Sequence, residues 1–265
     1  MPGSSDFRCL VVIPARYAST RFPGKALHPI AGRPLVQHVW ERCKMARQAC
    51  AVIIATDDER IGAAAKNFGA EWVMTRSDHP SGTDRLAEVA ASREDITHLI
   101  NVQGDEPLVD AALIDQFAEA LRDDPALSMI TAASPLLSAE EIENPNVVKV
   151  VLNSSSEALY FSRSRIPFPR NEPTVPCYRH VGIYGYSREF LLRFVQWPPS
   201  PLEKTEALEQ LRALENGARI RVVITTDDTP GVDTIQQAEA VERLILERGG
   251  DSNRTKGAQA SGPWQ

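Results

Sequence analysis

The stretch VVIPARYASTRFPGKAL, residues 11–27, passes from an apolar run into a loop that holds Arg16, Arg21 and Lys25 around Gly24. A short apolar run bounded by turn residues is typical of a buried strand in a parallel sheet. Ligands of open α/β sheets bind beyond the carboxyl ends of the strands, where glycine lets the backbone approach and cations offset phosphate charge. The loop therefore predicts a phosphate site, although a solvated surface loop accounts for its spacing equally well.

The same alternation of short apolar runs and helical periods continues along the chain. It predicts an α/β fold with a doubly wound, mostly parallel sheet that has helices on both faces. The predicted strands are residues 9–14, 51–56, 71–75, 98–102, 128–133, 147–152 and 219–225, and the predicted helices are residues 35–45, 59–68, 84–92, 111–121, 204–215 and 235–247.

Two segments depart from this alternation. Prolines punctuate the β-like segments ALYFSRSRI and HVGIYGY, so residues 158–187 predict a small β-rich insertion rather than another βαβ unit. Residues 249–265 are polar and small without an apolar period, and they predict a disordered tail. We expect the remainder, residues 1–248, to form a single domain.

The charge, the cysteines and the apolar runs of the sequence argue against several kinds of binding partner. The net charge of −6 and the isoelectric point near 5.5 argue against a nucleic-acid partner, because proteins that bind nucleic acid usually carry a basic excess. The four cysteines lack the spacing of a structural zinc site. We expect a cytoplasmic protein without membrane insertion, because no signal-peptide pattern opens the sequence and no apolar run approaches the roughly 20 residues of a bilayer span.

Two aspartates stand where a metal ion could bind. In LINVQGDEPLV, residues 99–109, Asp105 follows an apolar run, and in GVDT, residues 231–234, Asp233 precedes the last predicted helix. Carboxylates at strand ends can hold Mg²⁺, but aspartate also commonly caps helices and turns, so each signal alone is ambiguous. Together with the cations of the first loop they predict a triphosphate and its Mg²⁺ in one site, and hence transfer at phosphorus.

Other sequence patterns give weak support to one further enzyme class and disfavour several others. Asp57 and Asp58 in ATDD, and Asp227 and Asp228 in TTDD, resemble the acidic pairs of metal-dependent glycosyltransferases, although acids in turns are mostly solvated. The first loop does not match a Walker A motif. The sequence also has no G-x-S-x-G elbow and no G-x-G-x-x-G after the first strand, which disfavours the common hydrolases and dinucleotide-binding oxidoreductases.

A series of motifs resembles the 3-deoxy-manno-octulosonate cytidylyltransferase family, in order, from Arg8 to about Leu246. These motifs are VIPARYASTRFPGKAL, VIIATDD, MTRSDHPSGTDRLAEV, INVQGDEPLV, NPNVVKVV, ALYFSRSRIP, YRHVGIYGY, PSPLEKTEALEQLRALENG and GVDT.

The resemblance implies a nucleotide-diphospho-sugar transferase-like fold, in which CTP and Mg²⁺ activate 3-deoxy-D-manno-octulosonate (Kdo), an acidic sugar of lipopolysaccharide, to CMP-Kdo and pyrophosphate. It also implies a homodimer with the β-rich insertion at the interface. Another acidic sugar, such as 8-amino-Kdo or a sialic acid, and a non-catalytic nucleotide-binding regulator stay open as alternatives.

The resemblance also implies roles for individual residues. For the nucleotide, the implied residues are Arg16, Arg21 and Lys25 at the triphosphate and Ser81, Gly82 and Gln103 around the cytidine. Asp105 and Asp233 are the implied magnesium ligands, and they form the implied catalytic set with Lys25 and Arg16. For the sugar, the implied residues are Arg163, His180, Tyr184, Glu209 and Gln210.

Overall fold

A nine-stranded mixed sheet carries the fold. The computed structural model describes residues 7–18, 22–136, 138–171, 175–226 and 231–258, the last of these without side chains beyond residue 247. The strands, which include a small β2–β3 hairpin outside the main sheet, are β1 (Cys9–Ala15), β2 (Pro29–Ile30), β3 (Arg33–Pro34), β4 (Ala51–Thr56), β5 (Glu71–Met74), β6 (His98–Asn101), β7 (Met129–Pro135), β8 (Lys149–Leu152), β9 (Ala158–Ser162), β10 (Tyr178–Ser187) and β11 (Ile220–Ile224).

The strand order is β11-β7-β10-β6-β1-β4-β5, and β8 and β9 extend the sheet from β10. β1 pairs in parallel with β4 and β6, β4 with β5, and β7 with β11, whereas β10 runs antiparallel to β6 and β7. The predicted α/β fold with a mostly parallel sheet is therefore confirmed.

The segment predicted as a β-rich insertion is integrated into this sheet. Its second half, β10, lies between β6 and β7, and its first half, β9, pairs with β8. Ile183 and Tyr186 of β10 are buried in the cores on the two opposite faces of the sheet. A strand covered on both faces has no polar side in its sequence, so its place and direction depend on the path of the whole chain.

Helices cover both faces of the sheet. Several begin at an aspartate or serine whose side chain accepts a backbone N–H, as Asp58, Ser81 and Asp110 do. They are α1 (Leu35–Cys43), α2 (Glu59–Asn67), α3 (Gly82–Ser92), α4 (Ala111–Asp123), α5 (Ala139–Glu143), α6 (Arg188–Phe194), α7 (Pro201–Glu206), α8 (Gln210–Glu215) and α9 (Ile235–Ala258), and a 3-10 turn spans Lys25–Leu27. Among the described helices, none has both the length and the apolar character that a bilayer crossing requires.

Two helical predictions need correction. The helix predicted at residues 204–215 is divided into α7 and α8, because Ala207 adopts the left-handed conformation with φ 52° and ψ 50°. α9 continues past the predicted end at residue 247, so residues 249–258, predicted as part of a disordered tail, are helical. Extending a helix that tertiary packing has nucleated fixes only one residue at a time, so a polar sequence can continue it. Residues 259–265 lie outside the described chain.

Alternate residues of β1 enter the two cores of the domain. Val11 and Ile13 belong to the cluster on one face, and Leu10 and Val12 to the cluster on the other. A third cluster joins Val241 of α9 to Phe22 and Leu35 beside the first loop. This third cluster brings the start of α9, where Asp233 lies, to the carboxyl end of β1.

Candidate active site

A cavity of about 290 Å³, here called the nucleotide cavity, lies at the carboxyl ends of β1 and β6. The loop after β1, the loop after β6, the start of α3 and the segment before α9 all contribute to its walls. Its lining includes Arg16, Lys25, Gly82, Gln103, Gly104, Asp105 and Asp233. Six of the residues implied for the nucleotide and its metal thus meet in one place, as the position of ligand sites in open α/β sheets predicts.

Lys25 joins the two aspartates that lie far apart in the sequence. Its Nζ donates to Asp105 Oδ2 at 2.6 Å and to Asp233 Oδ1 at 3.0 Å. Burial alone would lower the pKa of the Lys25 ammonium, but Asp105 and then Asp233 outweigh it and raise the pKa above its ordinary value. Two carboxylate oxygens are therefore held within hydrogen-bonding distance of one cation.

The backbone beside Lys25 and Asp105 depends on glycine. Gly24, directly before Lys25, has φ 72°, in the left-handed region that glycine adopts without strain. A Cβ on Gly104 would lie 2.8 Å from the Pro14 carbonyl oxygen, so only glycine lets the two loops approach this closely. The glycines thus set the spacing of the cavity wall.

Arg16 lies at the start of the first loop, directly after β1. Its Nη2 donates to the His79 carbonyl oxygen at 2.7 Å, which ties the loop to the segment before α3. An arginine has five donors, and the other N–H groups of Arg16 form no hydrogen bond with a described residue, so they could bind a phosphate. Arg21, the third cation predicted for the triphosphate, lies outside the described residues.

The start of α3 separates the nucleotide cavity from a second cavity. Ser81 caps the helix, because its Oγ accepts from the backbone of Thr83 at 3.1 Å and of Asp84 at 3.2 Å. It also donates to Asp84 Oδ2 at 2.7 Å. Behind this turn the buried Arg85 donates to Asp57 at 2.8 Å. The pair holds the helix against the end of β4.

The acidic pair after β4 has structural roles. Asp57 pairs with Arg85, and Asp58 caps α2 while its carboxylate also binds Arg60 at 2.6 Å. Both acids are therefore occupied by arginines rather than directed into the nucleotide cavity, which counts against the glycosyltransferase alternative. Asp227 and Asp228 lie outside the described residues.

The second cavity, of about 590 Å³, is here called the acceptor cavity. It shares Gly82 and Gln103 with the nucleotide cavity, and its other lining residues include Asn101, Thr83, Tyr184, Trp197, Lys204, Glu209 and Arg212. A small acceptor molecule bound in this cavity would lie beside the phosphates of a nucleotide bound in the nucleotide cavity. The arrangement suits a transfer between two ligands placed end to end.

Glu209 lines the acceptor cavity and contacts two other polar residues of its wall. It accepts a hydrogen bond from Thr83 Oγ1 at 2.5 Å, and Arg212 Nη2 lies 3.7 Å from its other oxygen. Burial raises the pKa of Glu209, and hydrogen bonds from Thr83 and Ser81 offset this only in part. The left-handed turn at Ala207 ends α7 three residues after Lys204, so Glu209 stands at the start of a new helix rather than in the middle of one.

Arg163 is directed at the main chain. Its guanidinium donates to the carbonyl oxygens of Glu206 at 2.7 Å, Pro145 at 3.1 Å and Ala207 at 3.3 Å. It is not among the described residues that line the acceptor cavity. In this structure Arg163 therefore stabilises the end of α7, where the last carbonyls of a helix lack partners.

Tyr184 lines the acceptor cavity, whereas His180 and Gln210 lie behind it. His180 Nε2 is 3.0 Å from Thr131 Oγ1, and its ring contacts Phe161 and Tyr184. Burial lowers the pKa of His180 to about 3, so its imidazole is neutral. Gln210 is 5% exposed, and its Nε2 has no hydrogen-bond partner among the described residues.

Several lining residues were not predicted from the sequence. Asn101, Thr83, Lys204 and Arg212 line the acceptor cavity without having been singled out. Asn101 carried a usable signal, since a polar residue at the end of an apolar strand, two positions before Gln103, needs a reason to be there. No comparable signal in the sequence indicated Lys204 and Arg212, because charged residues on a helix are usually solvated.

The comparisons with known proteins agree with this geometry. Residues 10–220 match the family model described as cytidylyltransferase. The 3-deoxy-manno-octulosonate cytidylyltransferase of Geobacter sulfurreducens is 51% identical over 87% of this chain and 96% of its own length. That of Myxococcus xanthus is 51% identical over 92% of this chain and 98% of its own length.

The chain belongs to the 3-deoxy-manno-octulosonate cytidylyltransferase family.

A solved structure agrees with this membership. A CMP:2-keto-3-deoxy-manno-octonic acid synthetase complexed with CTP superposes with a TM-score of 0.88 at 44% identity, covering 91% of this chain and 99% of that one. A cytidylyltransferase from Leptospira borgpetersenii, 15% identical with a TM-score of 0.63, shares the fold. The predicted family is thus confirmed for nearly the whole chain.

Proposed function

We propose that this protein is an enzyme that transfers CMP from CTP to the anomeric hydroxyl of Kdo, giving CMP-Kdo and pyrophosphate for lipopolysaccharide biosynthesis. The observation that carries the proposal is the pair of adjoining cavities, one with Lys25, Asp105 and Asp233 and the other with Tyr184 and Glu209. The names of the relatives and the CTP in the similar synthetase structure support the choice of nucleotide and sugar.

The reaction is an in-line displacement at the α-phosphorus. The anomeric oxygen of Kdo forms the new bond to phosphorus, the bond to the β-phosphate oxygen breaks, and pyrophosphate leaves. Lys25 and Arg16 would stabilise the negative charge that develops on the departing pyrophosphate. Gly82 and Gln103, which both cavities share, would hold the nucleotide and the acceptor in line, so that two bound ligands react as one complex.

Asp105 and Asp233 are the residues that would hold Mg²⁺. They fit such an ion, because their oxygens already approach one cation, the Lys25 ammonium, at 2.6 and 3.0 Å, and Mg²⁺ prefers carboxylate and phosphate oxygens with some of its waters retained. The described residues hold no group of three or more His, Cys, Asp or Glu around a metal position. When bound, Mg²⁺ neutralises phosphate charge and favours deprotonation of the attacking hydroxyl.

The acceptor cavity suits a polyhydroxylated sugar. Glu209 and Tyr184 offer a carboxylate acceptor and a phenol hydroxyl, and burial raises the pKa of Tyr184 so that its proton is retained as a donor. All the curated relatives compared above carry the name of a Kdo enzyme, which favours Kdo over 8-amino-Kdo or a sialic acid.

A pyrophosphate-release assay tests the proposal. CTP is incubated with the purified protein and, in separate reactions, with Kdo, 8-amino-Kdo or sialic acid, each with Mg²⁺ or with EDTA. The proposal expects release with Kdo and Mg²⁺ and its loss in EDTA. Release without any sugar, or release with sialic acid and none with Kdo, would refute it.

We also propose a cytoplasmic homodimer. The region around β9 and β10 exposes Leu159, Phe168 and Val175, with 59%, 83% and 57% of each residue accessible. Phe168 and Val175 line one surface cavity, and exposed apolar patches of this kind mark association surfaces. Light scattering coupled to size exclusion should give a dimer mass for the wild type and a monomer mass for Phe168→Asp. A wild-type monomer at micromolar concentration would contradict the dimer.

A further inference from the structure

Among the described residues that line the acceptor cavity, one cationic side chain forms no hydrogen bond or ion pair with another described residue. Its described lining carries three acids, Asp84, Glu203 and Glu209, and two cations, Lys204 and Arg212. Arg212 donates to both carboxylate oxygens of Glu203, one of them at 2.7 Å. The charge of its guanidinium is therefore already paired with a carboxylate of the protein. The Lys204 ammonium makes no hydrogen bond or ion pair with any described residue.

The acids of the cavity make an anionic acceptor costly to bind. Glu203 is neutralised by Arg212, but Glu209 is shared between Thr83 and a more distant Arg212, and Asp84 faces Ser81. A ligand carboxylate added here would meet unscreened like charge, which destabilises binding unless a cation pairs with it. The candidate suggested by sequence, Arg163, does not line this cavity, and its guanidinium donates to three backbone carbonyls.

A second observation indicates that the cavity receives a polar ligand. Asn101 is 1% exposed and lines the cavity, yet its Oδ1 has no hydrogen-bond partner among the described residues. A buried polar atom left unpaired is destabilising, because it has lost its hydrogen bonds to water. A hydroxyl donor on a bound acceptor would supply the missing partner, and it would place the rest of that acceptor between Asn101 and α7.

We propose that Lys204 binds the carboxylate of the acceptor sugar and so selects acidic sugars. The inference rests on the proposed function, which supplies an acceptor with one carboxylate. Lys204 is an exposed residue in the last turn of α7, three residues before the left-handed Ala207, and it lines the cavity. The flexible four-carbon stem of lysine lets its ammonium follow the carboxylate into the cavity.

The test compares Lys204→Met, Lys204→Arg and Lys66→Met by steady-state pyrophosphate release with Kdo. Lys66 is an exposed lysine in the last turn of α2 and serves as the matched control. Because Lys204→Met removes a charged hydrogen bond to the carboxylate, KM for Kdo should rise about tenfold to a hundredfold in this variant. KM for CTP and kcat should stay within about threefold, as expected when binding common to substrate and transition state is lost. Lys204→Arg should largely retain the wild-type KM.

The C1 amide of Kdo, which lacks the negative charge, completes a double-mutant cycle. For the wild type, kcat/KM should be lower with the amide than with Kdo, by about the factor by which Lys204→Met lowers kcat/KM for Kdo. For Lys204→Met, kcat/KM should be about equal with Kdo and with the amide. An unchanged KM in Lys204→Met, or equal discrimination by both proteins, overturns the inference while the proposed function stands. Failure of the wild type to release pyrophosphate with Kdo overturns both.

Discussion

Removal of either aspartate beside Lys25 should disable the chemistry, and removal of both should cost little more. Asp105→Asn replaces a carboxylate whose oxygen lies 2.6 Å from the Lys25 ammonium, and Asp233→Asn replaces one at 3.0 Å. Loss of one group that stabilises transition-state charge lowers kcat by about 10²–10³, or about 2.7–4 kcal/mol. We expect each single variant to fall in that range.

The shared cation determines how the two losses combine. If Asp105 and Asp233 act on one cation, the second substitution removes a group from a site that is already disabled, so the losses are strongly non-additive. The double variant should then lose about as much as the poorer single variant. Independent roles would instead multiply the losses to about 10⁴–10⁶.

The assay is pyrophosphate release at saturating CTP and Kdo over a titration of Mg²⁺. Asp123→Asn, which changes an exposed aspartate paired with Arg122, serves as the charge-matched control and should keep wild-type kcat. Near-normal turnover in Asp105→Asn, or multiplicative losses in the double variant, would refute the assignment of a common cation site.

Three further predictions concern stability. Arg85→Ala leaves Asp57, whose side chain is only 13% exposed, without its 2.8 Å partner and should lower the free energy of unfolding by about 3–5 kcal/mol in urea denaturation; a loss under 1 kcal/mol would contradict this. Burial lowers the pKa of His180 from 6.5 to about 3. Between these two pH values the imidazole is protonated in the unfolded chain and neutral in the folded one, so the free energy of unfolding decreases as the pH falls from 6.5 to 3. His180→Gln should reduce the slope by up to about 1.4 kcal/mol per pH unit, and an unchanged slope would count against a buried neutral imidazole. Ala207→Gly relieves a left-handed residue and should raise the unfolding free energy by up to about 1 kcal/mol, measured by the same denaturation; a decrease would show that no strain is stored there.

Local features of the sequence were reliable wherever the signal was itself local. The strands at residues 9–14 and 51–56 were predicted within a residue of β1 and β4, because an apolar run bounded by turn residues needs no distant information. The nucleotide side of the site followed from the same rule, since parallel strands end at one edge of the sheet. Lys25, Asp105 and Asp233 duly converge there.

The break between α7 and α8 was not visible in the same way. Residues 204–215 have helical composition throughout, whereas the left-handed turn is held by contacts from a distant part of the chain, those of Arg163 with the carbonyls of Glu206 and Ala207. Helix propensity is a weak signal that tertiary contacts override. The acceptor side of the site depends on this turn, so its geometry could not be predicted from the sequence.

The sequence by itself determined the α/β class, the loop of cations after β1 and the two acids that could share an ion with it. Tertiary structure alone decided that β10 enters the sheet antiparallel, that Arg163 stabilises a helix end, and that Lys204 and Asn101 line one cavity. The physical reason is range: strand and loop signals arise from neighbouring residues, whereas pairing direction and the lining of a cavity arise from groups that only the folded chain brings together.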